Sequence, residues 1–301
     1  MQRKLKLILA PIILIATIAA FVRYLTTHPQ LIEQLGRTSP AAVALLVILY
    51  LCWFGTLVLI LVASMHFYHK TMPLQENFLL NAYSSLINFF GPGQSGPAVR
   101  GAYLYKRHQV SIKKFMFTTL LYYACYAVIS ALFLFGGSQP WWQTATLVAA
   151  VAGACFIVVR RNAGRGSVHI SPRIFMMIAL VTLLQALLQA TIYFVELRDI
   201  DPTVSIAQAL SYTGAANFAL FVALTPGAIG IRESFLLFTQ QLHGIGSQTI
   251  IAANVVDRGA YLLLLGVLFV CVISLHAKDK FNFGKVSREN SQDENPATPP
   301  K

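Results

Sequence analysis

Acidic residues are scarce in this chain, with 11 Asp and Glu among 301 residues against 23 Lys and Arg, and charged residues together reach only 11%. A soluble domain carries about a quarter, so a soluble globular protein is excluded. The four cysteines, Cys52, Cys125, Cys155 and Cys271, all lie inside apolar runs, without a CxxC pair. They point to packing rather than to disulfides or zinc. The seven histidines are scattered without a ligand pattern, so no metal site is expected. No GxxxxGK[ST], GxSxG or HExxH motif occurs either, which removes the usual signatures of nucleotide-driven or hydrolytic chemistry. Neither an enzymatic activity nor a cofactor is expected.

What the chain has instead is apolar length. Hydrophobic residues make up 56% and the mean hydropathy is +0.63. A helix crossing the ~30 Å hydrocarbon core needs roughly 20 apolar residues, and runs suited to that occupy residues 5–25, 40–64, 115–136, 141–159, 174–196 and 248–275. Six full spans are therefore expected. Two further apolar stretches, 76–91 and 204–224, run into Pro-Gly turns, GPGQSG at 91–96 and TPGAIG at 225–230.

Charge placement sets the expected orientation. The net charge of +12 is gathered in short loops, which membrane topology alone requires, so nucleic acid is not an expected partner. Arg3, Lys4 and Lys6 before the first span, the basic run Arg100, Lys106, Arg107, Lys113 and Lys114, and the loop 160–173 belong in the cytoplasm. The uncharged GGSQPWW linker and the acidic loop ELRDIDP at 196–202 belong outside. Consistency then makes 76–108 and 204–243 re-entrant hairpins, with both termini cytoplasmic and the first span uncleaved. The polar tail 277–301 reads as disordered.

The order of elements repeats. Residues 1–137 and 138–276 each read as span, span, hairpin with a Pro-Gly turn, span, so three crossings per unit make the second inverted relative to the first. Pro92, Gly93 and Gly96 match Pro226, Gly227 and Gly230 in spacing, and Arg100 and Arg232 follow. Gly91, Gly93, Gly96, Gly227 and Gly230 suit tight backbone geometry, and Pro92 and Pro226 end the entering helices.

Arg232, Glu233, Asp257 and Arg258 lie at membrane depth, where ionisable groups face partners or a pathway. They are candidates for substrate contact, and equally for pairs tying hairpin to span. Arg100 offers a fork that matches phosphate oxygens, or serves only as a topology charge. Tyr122 and Tyr123 hold, in the first unit, about the place of Asp257 and Arg258 in the second. Asn81, Ser84, Ser85 and Asn88, with Gln208, Ser211, Tyr212 and Asn217, either line a cavity or satisfy one another.

The segments FVALTPGAIGIRESFLL, NVVDRGAYLLLLGVL and NFFGPGQSGPAVRGAYLYKRHQVSIKKF resemble the lysylphosphatidylglycerol synthase transmembrane-region family, also called flippase-like, over nearly all the chain to about residue 276. The resemblance implies an inner-membrane translocator of an aminoacylated or anionic phospholipid or of a polyprenyl-phosphate-linked sugar. It also leaves open a non-transporting scaffold for a separate glycosyltransferase or lipid synthase. The soluble aminoacyl-transferase domain of full-length synthases is missing, so lipid synthesis would need a separate enzyme. Pro97 stands where an acid is common in the family, and Tyr122-Tyr123 where an acid-Arg pair is common, which suggests a different headgroup or a degenerate first half.

Overall fold

The computed structural model describes residues 38–90, 95–135, 171–221 and 231–293, with isolated positions at 23, 26, 27, 29 and 146. The first and fourth expected spans, and the turn residues Gly91, Pro92, Gly93, Pro226, Gly227 and Gly230, lie outside the described residues. Cys155 does too.

Every element within the described segments is a helix: α1 (Pro40–Phe67), α2 (Leu74–Phe90), α3 (Ser95–His108), α4 (Ile112–Phe135), α5 (Pro172–Ile200), α6 (Ile206–Phe221), α7 (Ile231–Phe238), α8 (Gln240–His243) and α9 (Ser247–Asp293). Four of them are long and apolar enough to cross a membrane: α1, α4, α5 and Ser247–Leu275 of α9. These are four of the six runs named above. Leu120, Leu180 and Val270 point outward at more than half exposure, which is costly in water and ordinary against lipid.

Local sequence explains where α1 and α5 begin. Both open on Ser-Pro. Ser39 Oγ accepts from Ala42 N–H at 3.1 Å and Ser171 Oγ from Ile174 N–H at 3.3 Å, and Pro at the first helical position lacks only a donor that would be orphaned anyway. At the other end, α1 and α3 stop alike. His69 and Gln109 take left-handed φ values of 54° and 53°; Lys70 N–H reaches Met65 O, closing α1 in the Schellman manner, and Val110 N–H reaches back to Leu104 O at the end of α3. α9 extends from Ser247 as far as Asp293, and no proline occurs in the chain between them or before Pro296.

The helices beside the Pro-Gly turns are short. α2 and α3 have 17 and 14 residues, α6 and α7 have 16 and 8, so at 1.5 Å per residue each reaches about 12–25 Å, less than a bilayer core. α2 packs on α3 and α6 on α7. The first pair is stitched by Gly96 N–H to Asn88 Oδ1 at 3.1 Å and Ser95 Oγ–H to Ile87 O at 3.0 Å. A Cβ on Gly96 would lie 2.6 Å from Ser84 O. Gly96 is thus needed for close approach, and its N–H is already spent.

The packing relations come in pairs. α1 touches α2 as α5 touches α6; α3 touches α4 as α7 touches α9; α4 lies on α6 as α9 lies on α2; α4 meets α5 as α9 meets α1. α1 and α5 lie along each other. They run antiparallel, since Tyr50, early in α1, shares a neighbourhood with Tyr193 and Glu196, late in α5. α5 also packs on α9, and the matching gap between α1 and α4 is partly empty. The central core draws Leu46 and Phe54 from α1, Phe89 from α2, Ile192 from α5, Ala215 and Ala216 from α6 and Leu264 from α9. Its tightest crossing is α6 on α4, where a Cβ on Gly214 would meet Leu134 N at 2.4 Å and Ser130 O at 2.5 Å. Small residues let helix backbones approach this closely in a membrane.

Candidate functional site

Two arginine centres stand out among the described residues. The second-half centre is built where α7 meets α9, closed by α5 and α1. Arg232 Nη1 donates to Asp257 Oδ2, and the Tyr50 hydroxyl donates to Asp257 Oδ1. Arg258 Nη2 donates to Glu233 Oε1. Both pairs therefore tie α7 to α9, the pairing that was the alternative to substrate contact. The helical register accounts for this: Arg232 and Glu233 are adjacent, as are Asp257 and Arg258, so one short helix laid on one span forms two crossed pairs.

The pairs are desolvated. Arg232, Asp257 and Arg258 are 6%, 4% and 8% exposed. The guanidinium of Arg232 also lies 5.0 Å from the centre of the Tyr193 ring, a cation–π distance. Its Nε and Nη2 have no hydrogen-bond partner among the described residues.

Sequence reasoning missed Glu196 here. It counted as an exposed acid of an outer loop, but it is 1% exposed, inside α5 and beside Asp257. The sequence did carry a signal. Gln185, Gln189 and Glu196 fall on one helical face of an otherwise apolar span, and all three are buried; a polar stripe in a membrane helix faces protein, not lipid.

The first-half centre is different in kind. Arg100, on α3, faces a cavity of about 40 Å³ between α1, α3 and α4. Ser64 and Tyr68 of α1, Pro97 beside Arg100, and Thr118, Tyr122 and Tyr123 of α4 line it. Arg100 Nε is buried without a hydrogen-bond partner, and no carboxylate pairs with this arginine among the described residues. The wall hydroxyls are partly committed: Tyr68 to Thr118, and Tyr122 to Gln185 Oε1 at 2.7 Å.

The two centres share features of sequence position. Tyr122 and Tyr123 face Arg100 as Asp257 faces Arg232. Ser64 and Glu196 stand the same number of residues past the capping serines of α1 and α5. Where the second half has Glu196 and Asp257, the first half has Ser64 and tyrosines.

The polar residues of the two hairpins largely satisfy one another. Asn81 bonds Asn77, Asn88 bonds Gly96, Tyr126 and Ser130 bracket Asn217, and Tyr212 accepts from Asn254. Among the described residues no group of His, Cys, Asp and Glu is arranged to hold a metal, and Cys52 and Cys271 are free thiols.

Helices of this length and apolarity, with buried charge at their centre, define a multi-pass integral membrane protein. The chain belongs to the family described as lysylphosphatidylglycerol synthase TM region, whose sequence model matches residues 7–268. No curated protein matches it.

Proposed function

We propose that this chain translocates an anionic lipid between leaflets of the inner membrane: an anionic or aminoacylated phospholipid, or a polyprenyl-phosphate-linked sugar. Arg100 receives the phosphate. The single observation that carries this is the contrast just described, a half-buried arginine whose Nε is buried without a hydrogen-bond partner and which no carboxylate pairs among the described residues. An uncompensated cation is costly in a low dielectric, and an anion brought by the ligand would supply what the chain omits. The tyrosine, threonine and serine hydroxyls around it suit phosphate oxygens.

Six spans, two re-entrant hairpins and an inverted repeat complete the proposal, with both termini cytoplasmic. The paired helix contacts, the short hairpin helices and the shared Ser-Pro starts support it. In that topology the Arg100 centre lies toward the cytoplasm and the Arg232 centre toward the outside, so a headgroup would pass from one arginine to the other. The Arg232–Asp257 and Glu233–Arg258 pairs are then the gate that opens to receive it. About 40 Å³ holds a few waters rather than a phosphate, so loading requires α3 or α4 to give way. The chain performs no chemistry on the lipid in this scheme; a separate aminoacyl-transferase or glycosyltransferase would supply the modified lipid.

The test is translocation of labelled aminoacyl-phosphatidylglycerol and labelled polyprenyl-phosphate-sugar by purified protein in liposomes, with Arg100→Ala beside the wild type. Movement of one lipid, lost in the variant, is the expected result. Movement of neither would overturn translocation in favour of a scaffold for a lipid-modifying enzyme.

A further inference from the structure

The second-half cluster holds one carboxyl too many. Among the described residues Arg232 and Arg258 supply two positive charges, and Asp257, Glu233 and Glu196 supply three carboxyls. Asp257 has the partners of an ionised group, with a donor on each oxygen: Tyr50 on Oδ1 and Arg232 on Oδ2. Glu233 is held by Arg258. Glu196 has neither kind of support. Its Oε1 is buried without a hydrogen-bond partner, and it makes no ion pair among the described residues.

Around it stand Tyr50 from α1, Tyr193 from α5, Tyr212 from α6, Arg232 from α7 and Asp257 from α9; Tyr126 of α4, His243 of α8 and Tyr261 of α9 touch those neighbours, and the Glu233–Arg258 pair lies next along α7 and α9. Arg232 is the nearest cation and is already committed to Asp257.

We propose that Glu196 is a proton-binding site, carrying a proton while the α7–α9 ion pairs are closed and releasing it to water when they open. A neutral Glu196 balances the cluster at two charges of each sign and can donate its hydrogen toward Asp257. An ionised Glu196 would place two carboxylates side by side in an apolar interior, the arrangement that makes carboxyl dyads share one proton. The closed form thus binds one more proton than the open form. Linkage then fixes the sign: closure strengthens as pH falls and weakens as pH rises. A gate of this kind adds proton coupling to the proposed translocation, but the proton site does not depend on any lipid being moved.

Infrared difference spectroscopy on the full chain in liposomes, in H2O and D2O, tests it without a lipid substrate. The wild type and the control Asp201→Asn, whose carboxyl is exposed, should show the carbonyl stretch of a protonated carboxylic acid at neutral pH, and Glu196→Gln should lack it. Amide exchange over Ile231–Phe238, corrected for the intrinsic rate, should quicken with pH in the wild type and lose that dependence in Glu196→Gln. Absence of the band in the wild type, its survival in Glu196→Gln, or an unchanged pH dependence of exchange overturns the proposal. If Glu196→Gln does not fold, Tyr50→Phe takes its place. Removing the hydroxyl from Asp257 must shift the band of an acid hydrogen-bonded to Asp257, and a band that stays put assigns the proton elsewhere. A failed translocation assay leaves all of these outcomes intact.

Discussion

Around Arg232 the chain supplies its own anion, Asp257, with the carboxyl of Glu196 beside it, while around Arg100 it supplies hydroxyls from Ser64, Tyr68, Tyr122 and Tyr123. The two places take opposite solutions to the same problem, a guanidinium held largely away from water. In the second half the counter-charge is internal, and the helices close on it: α5 packs against α9. Around Arg100 none is found among the described residues, and a cavity lies between α1 and α4. A built-in carboxylate makes a gate or a strut, whereas a site without one is a place for something else's charge.

The largest test of this contrast is stability. Asp257→Asn leaves Arg232 buried beside a neutral amide, and breaking one partner of a buried pair costs about 3–5 kcal/mol. Thermal unfolding in detergent should show that loss. Arg100→Leu removes no pair and should change stability by less than ~1 kcal/mol. Equal losses in the two variants would end the distinction between a committed and an open arginine.

The contrast can also be erased on purpose. Ser64→Glu puts a carboxylate at the position that Glu196 holds in the other half. If Arg100 is kept free for a ligand, the internal anion should compete for it and cut lipid movement by roughly 10- to 100-fold, the worth of about 1.5–3 kcal/mol for a charged hydrogen bond. The folded protein should persist, as judged by gel filtration. Unaltered transport would mean that the phosphate binds elsewhere.

α6 crosses α4 at Gly214. Gly214→Ala would set a methyl against backbone atoms, 2.4 Å from Leu134 N, and should cost ~1–3 kcal/mol by overpacking. Gly266→Ala is the control. A Cβ there meets nothing within 4 Å, so helix propensity should make it neutral or stabilising by up to ~1 kcal/mol. The same melting experiment reads both.

The smallest effect concerns the first hairpin alone. Glu76 Oε1 accepts from the Tyr103 hydroxyl at 2.6 Å and from His108 Nε2 at 2.8 Å, tying α2 to α3. Burial pushes this carboxyl up, but those two donors and Arg107 outweigh it and hold it below its usual range. A depressed carboxyl adds stability above the ordinary carboxylate range and loses it as pH falls through the lower folded value. Amide exchange in the last turn of α3 should therefore rise only in acid, by less than ~1 kcal/mol for a part-exposed pair. Glu76→Gln should show no such acid step.

Much of this was legible in the residues. Four spans follow from apolar length, and Arg232, Glu233, Asp257 and Arg258 stood out because charge is rare in such segments. The Ser-Pro starts of α1 and α5 are local signals that need no partner helix. Glu196 was misread because loop and span blur at a helix end: an acid one turn from ELRDIDP's aspartates looks like loop charge until a neighbouring helix covers it. Arg100 had the reverse difficulty, since it opens a basic run and only the cavity wall separates it from Lys106 and Arg107.

Composition and hydrophobic periodicity by themselves determined that this chain lives in a membrane as a bundle of helices, because backbone donors and acceptors in lipid must be satisfied within each helix and the apolar runs have the length to cross. Which buried charges are paired, and which arginine is left over, was decided only by tertiary structure. Pairing depends on what lies a few ångströms away across helix contacts, such as Arg232 and Asp257, 25 residues apart in the chain, or Tyr50 and Asp257, 207 apart, and no local pattern encodes that distance.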